Sequence, residues 1–192
     1  MTFDRSDSTA PKLCQPASWR PIDASFVSSL NVDTTIQMGK AVVSDSVCAK
    51  HDRFDLISPH LIDNSDVYVV DQISGALFHK VDTVAAASRS VAAFENLADA
   101  LMLASQNMQS NVILIVNIDI AGDLDSIVEQ LLAARVELPE MPVIICSETF
   151  STNDFTAQRR AIADSSLRLP SSDTWVALAI ESGISNNQTQ PY

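Results

Sequence analysis

The stretch VILIVN, Val112-Ile113-Leu114-Ile115-Val116-Asn117, decides the fold: five aliphatic residues in a row, closed by a polar amide. A run without polar alternation is what a strand shows when both its faces are buried, as in a parallel sheet covered on two sides. Two more runs have the same form. Val67-Tyr68-Val69-Val70 ends at Asp71, and Val143-Ile144-Ile145-Cys146 opens after Pro142 and closes at Ser147. Between the last two lies SIVEQLLAARVE, residues 126–137, where Ile127, Leu131 and Ala134 recur at helical spacing beside Val128 and Leu132. Asp123, Asp125 and Ser126 supply the cap and the acidic first turn, and Pro139 and Pro142 stop the helix.

Working outward, residues 90–94 form a weaker strand, followed by a helix through Leu97, Leu101 and Met102. Residues 166–169 form a short last strand, followed by a helix through 175–180. Strand and helix alternate about five times from 66 to 185, and right-handed crossovers then predict an open, doubly wound α/β sheet. Ligands of such sheets sit beyond the carboxyl ends of the strands, here Asp71, Gln72, Asn117, Ser147 and Leu169. Residues 1–60 read differently. Pro11, Pro16, Pro21 and Pro59 punctuate them, and short apolar stretches such as Ala41-Val42-Val43 lack sustained periodicity. They are expected to be a partly ordered N-terminal extension that packs on the sheet edge, self-associates or docks a partner, with the domain proper at 61–192.

The chain has 192 residues, enough to bury its own core, and 46% of them are hydrophobic, which sets it apart from disordered chains. Its net charge is −12, carried by seventeen acids against six bases after residue 60, and neither Lys nor Arg occurs between Arg89 and Arg135. A basic face for phosphate backbones is therefore missing, so neither nucleic acid nor an acidic membrane is an expected partner. No apolar run approaches the roughly 18 residues of a membrane span, and MTFDRSDSTAPKLCQPASW has no apolar core of a secretory signal. A cytoplasmic location is the expectation. Cys14, Cys48 and Cys146 form no CxxC pair, and His51, His60 and His79 show no ligand spacing with them, so no metal and no cofactor is expected. GxGxxG, GxxxxGK[ST] and GxSxG are all absent.

The strand ends resemble the response-regulator receiver domain, a flavodoxin-like fold with a five-stranded parallel sheet and helices on both faces. VYVVDQISGA resembles its first strand and acidic turn, and VILIVNIDIAGDLD its third strand and phospho-acceptor loop, with Gly122 at the loop glycine. PVIICSE resembles the fourth strand ending in Ser/Thr, and LRLPSS the fifth, whose Lys-Pro pair here reads Leu169-Pro170. Thirty positions separate Asn117 from Ser147, and twenty-two separate Ser147 from Leu169, as in that family.

The departures carry the functional expectation. The family's phospho-acceptor aspartate is Asn117, the acidic pair that holds magnesium is reduced to Asp71 with Gln72 beside it, and the lysine is Leu169. An amide cannot form an acyl phosphate, and nothing at 169 would offset phosphoryl charge. The family position that is usually aromatic is Ser166. The resemblance thus implies a pseudo-receiver, not an enzyme, acting through protein contacts in bacterial signalling. Its expected partners are a kinase, a regulator or a phosphotransfer protein, or a second copy in a homodimer. The family's partner face, built by the fourth helix, fifth strand and fifth helix, implies Phe155, Arg159, Arg160, Arg168 and Trp175 as contact residues. Two other readings remain open. One uses Asp119 as a substitute phospho-acceptor, against a reading of it as a solvated loop acid. The other makes Asp71, Gln72, Asn117 and Ser147 the polar groups of a small-ligand site; Asp71 by itself reads either as a cap of the first helix or as a residual metal ligand.

Overall fold

The computed structural model describes residues 20–21, 42–44, 56–73, 75–107, 110–159 and 161–189. Five strands, β3 (Ser65–Val70), β4 (Ser90–Phe94), β5 (Asn111–Asn117), β6 (Val143–Ser147) and β7 (Ser165–Arg168), pair in parallel in the order β4-β3-β5-β6-β7. Every residue of β3 and β6 and residues 112–116 of β5 are buried, which is the two-sided burial the unbroken apolar runs require. Two short strands of the extension, β1 (Arg20–Pro21) and β2 (Val42–Ser44), continue the sheet antiparallel beyond β4. Val42 and Val43 thus belong to a strand.

Helices cover both faces. On one side lie α1 (Pro59–Ile62), α2 (Ala76–Val84) and α5 (Asp173–Gln188), around Ile57, Ile62, Phe78, Val81, Val176 and Ile180. On the other lie α3 (Leu97–Gln106) and α4 (Leu124–Glu137), around Leu97, Ala100, Ile127, Leu131 and Met141. Residues at successive positions of β5 serve opposite faces, with Ile113 and Ile115 in the first core and Val112, Leu114 and Val116 in the second. Asn96, Asp123 and Ser172 cap α3, α4 and α5 by accepting from the backbone N–H three residues on. Gly122, at φ 130°, makes the turn into α4 in a region that only glycine enters without strain.

One expectation is corrected. Among the described residues, no α-helix joins β6 to β7; the connection holds a 3₁₀ turn, Ala157–Arg159. The reason lies in STND, residues 151–154, which favours turns, and in Phe150 and Phe155, whose spacing of five cannot line one helical face. Phe150 packs into the core under α3 and α4, whereas Phe155 packs into the opposite one. The segment instead lays Asp154 antiparallel against Ser166, with N···O distances of 2.8 and 2.7 Å. The last helix runs on beyond 180 through Ser185, Asn186 and Asn187. Asn186 Nδ2 donates to the carbonyls of Phe155 (3.0 Å) and Asp164 (2.8 Å), and Asn187 Nδ2 to that of Pro139 (3.0 Å). These amides satisfy loop carbonyls and so hold the helix end in place.

Candidate functional site

Parallel strands deliver their last residues to one edge, so β3, β5 and β6 bring Asp71, Asn117 and Ser147 together at their carboxyl ends. Asp71 is buried, and its backbone N–H is held by Phe94 O (3.0 Å) at the end of β4. One carboxylate oxygen accepts from Asn117 Nδ2 at 3.1 Å. The other faces Phe78 N at 3.4 Å, the third residue of α2, so Asp71 supplies negative charge to a helix whose own cap, Gly75, has no side chain. The close approach depends on that glycine, because a Cβ at Gly75 would stand 2.0 Å from Asp71 Oδ2.

Asn117 turns its amide oxygen the other way, accepting from Asp119 N at 3.2 Å and folding the chain past the strand end. That turn aims the Asp119 carboxylate at β6. Its oxygens accept from Ser147 Oγ and from Glu148 N, both at 2.6 Å. Ser147, fully buried, also takes Thr149 N at 3.0 Å and lies 2.8 Å from Thr149 Oγ1. Asp119 is thus an exposed loop acid that is also hydrogen-bonded at both oxygens. A short chain of bonds, Asp71–Asn117–Asp119–Ser147–Thr149, spans the strand ends.

Two expected members stand apart. Gln72 is exposed, contributing its backbone carbonyl to Gly75 N at 2.7 Å. Leu169 is buried in the apolar core with Val176 and Ala177, its backbone N–H held by Ser147 O at 2.9 Å, and its bond to Pro170 is cis. An aliphatic side chain therefore occupies the first position after β7. Among the described residues, no ion pair reaches Asp71 or Asp119. Cys146 reports the resulting field: burial first, then the charges of Asp71 and Asp119, push its thiol far above the ordinary range.

The donor set does not suit the magnesium ion that the resemblance would imply. Such an ion needs carboxylate oxygens free to ligate it, whereas Asp71 and Asp119 are engaged by an amide, a hydroxyl and backbone N–H groups. Thr149 and Gly75 were not among the expected site residues. Signals for both exist in the sequence: a hydroxyl two positions past the strand end, and one of only four glycines placed four residues after Asp71.

The expected partner face is only partly assembled. The rings of Phe155 and Trp175 lie 5.8 Å apart, with Trp175 46% exposed. Arg168 is exposed but bonded to Ser151 O (3.1 Å) and Asn153 Oδ1 (2.8 Å, through its backbone). Arg159 lies over the Phe150 ring at 4.4 Å, and Arg160 falls outside the described residues. Because the described residues between β6 and β7 hold no α-helix, the face consists of β7, α5 and an irregular segment.

Fold and strand-end geometry together define a flavodoxin-like α/β domain, with its polar cluster where that class keeps its functional groups. The chain is similar to a solved response regulator from Thermotoga maritima, with 17% sequence identity, a TM-score of 0.51, and coverage of 64% of this chain and 98% of that one. This likeness concerns the fold. No protein-family model matches the chain, and no curated protein matches it. Among the described residues, no helix is long and apolar enough to cross a membrane.

Proposed function

We propose that the chain is a receiver-like interaction module of bacterial signal transduction in which phosphoryl chemistry has been lost. It works in the cytoplasm, has no enzymatic activity of its own, and acts by binding a kinase, regulator or phosphotransfer protein. The observation that supports this most is the bond from Asn117 Nδ2 to Asp71 Oδ1, 3.1 Å. A neutral amide stands where an acyl phosphate would have to form, and it occupies the acid that would hold a metal. The buried Leu169 supports the same reading, since among the described residues no ion pair reaches the carboxylates of the cluster. Binding is assigned to the β7–α5 face, where Trp175 is exposed beside Phe155 and where Arg159 and Arg168 carry positive charge at the surface.

Beryllofluoride with magnesium, read as a thermal shift, and acetyl phosphate, read by intact mass, test the loss of chemistry. Neither reagent is expected to change the natural protein or the Asn117→Asp variant, because Leu169 leaves phosphoryl charge unanswered. Stable phosphorylation of that single variant, or a magnesium-dependent shift abolished by Asp119→Ala, would overturn the reading. A crosslinked pull-down from native cells, with Trp175→Ala and Arg159→Glu alongside, tests the face. Loss of a stoichiometric signalling partner in either variant supports the assignment, and equal capture by both removes it.

A further inference from the structure

Helix α4 has two apolar faces, and the fold uses only one. Ile127, Leu131 and Ala134 are buried against the sheet. Leu124, Val128, Leu132 and Val136 follow one another at four-residue intervals, and three of them are open to solvent: Leu124 at 56%, Leu132 at 44% and Val136 at 82%. Such a row is a single ridge about 18 Å long, the element that seats in the groove of another helix in the commonest mode of helix packing. Isolated exposed aliphatics are ordinary, but a continuous ridge of them on one helix marks a contact surface.

The charge around the ridge selects its occupant. Asp123, Asp125, Glu129, Glu137 and Glu140 are all exposed on or beside the helix. Its one base, Arg135, is buried, with Nη2 donating to Asp164 Oδ2 at 2.7 Å and Nη1 to Met141 O at 3.1 Å, so its guanidinium is held inside the fold. A second copy would bring these same acids face to face within a chain of net charge −12, whereas a helix with flanking Lys and Arg would meet them with opposite charge. We infer that the Leu124–Val128–Leu132–Val136 ridge docks a basic amphipathic helix of a partner protein. This surface lies across the sheet from α2, α5 and the Trp175 face, so it is a second contact independent of the one proposed above.

The full ¹⁵N-labelled chain, titrated with a synthetic Leu/Lys amphipathic helix of about 18 residues, tests the inference. The expected result is saturable shifts confined to amides of 124–140, weaker at high salt, and no binding of a Leu/Glu helix with the same apolar spacing. Leu132→Asp/Val136→Asp should weaken binding at least about tenfold; both residues are exposed, so circular dichroism should show the fold retained, and Trp175→Ala should leave binding unchanged. Shifts elsewhere on the protein, binding unaffected by the double variant, or no binding at all would each overturn it. So would a dimer in sedimentation that the double variant dissociates, which would make a second copy the occupant. The phosphorylation tests are indifferent to all of these results.

Discussion

Asn117 donates its side-chain amide to the carboxylate of Asp71 at 3.1 Å, joining the ends of β5 and β3 by a neutral group and a buried anion. The pairing depends on the amide being uncharged. Asn117→Asp would set a second carboxylate against the first, and like charges at that range raise the pKa of one of them in the folded state. A group whose folded pKa is raised favours the fold at pH values below its unfolded pKa, and that contribution is lost as pH rises through the folded one. The variant should therefore be less stable than the natural protein by about 1–3 kcal/mol near neutral pH, with the deficit shrinking toward pH 4. Urea unfolding of both proteins at the two pH values checks this; a deficit independent of pH would contradict it.

Asp119→Ala should free the turn after β5 from the end of β6. Two charge-assisted bonds, to Ser147 Oγ and Glu148 N, are lost, and Ser147 is fully buried. The expected cost is about 1.5–3 kcal/mol, with Asp119→Asn losing less because it retains an acceptor. Hydrogen exchange at the Glu148 amide should accelerate in the alanine variant before the core strands open.

Gly75→Ala and Gly122→Ala should differ although both replace hydrogen by methyl. At Gly75 the methyl carbon would stand 2.0 Å from Asp71 Oδ2 and 2.8 Å from Gln72 O, so buried groups must move. At Gly122 the space is open and only the φ of 130° is strained. The expected losses are about 3 kcal/mol or more for the first and about 1 kcal/mol for the second. Equal losses by chemical denaturation would remove the assigned role of Gly75.

Arg135→Met should cost about 3–5 kcal/mol, because it strands Asp164, a fully buried carboxylate whose Oδ2 also accepts from Val143 N at 2.8 Å. Arg135→Met/Asp164→Leu should recover part of that loss, the Val143 N–H being left without its acceptor. A double variant no more stable than the single one would show that the charge is not what the arginine offsets.

Asp154 sits below the usual carboxylate range, chiefly because the Thr156 hydroxyl and then its N–H donate to it, with a smaller help from Arg159. Thr156→Val should raise its pKa toward the ordinary value, and Arg159→Ala should raise it less. A side-chain carboxyl titration by NMR reads both, and an unchanged midpoint in Thr156→Val would contradict the ordering.

The strands were legible because burial on two faces leaves an unbroken apolar run, and VYVV, VILIV and VIIC each became one. The weaker SVAAF was legible only from its place in the alternation. The missing helix between β6 and β7 had to be seen as a lack of apolar periodicity across 148–164, a weaker signal than its presence. The end of α5 is hard to read in the sequence because Gly183, Ser185, Asn186 and Asn187 have low helix propensity. What keeps it helical is tertiary: loop carbonyls that need amide donors, and a close fit in which a Cβ on Gly183 would lie 3.1 Å from Ile144 Cδ1. Within the site, Asp71, Asn117 and Ser147 could be read from the strand ends. The tie from Asp119 to Ser147 could not, since it joins residues 28 apart through a turn that the amide of Asn117 and backbone bonds set together.

The two-way bridge between Asp154 and Ser166 also governs how the sheet meets other chains. An edge strand ordinarily offers a row of unused backbone donors and acceptors, an open template for fibre growth or strand exchange. Here the residue at the middle of β7 has both backbone groups satisfied by the protein's own loop, and Arg168 N is closed by Asn153. The border of the sheet is hemmed, so contacts at this margin must be read from side chains and cannot propagate by adding strands.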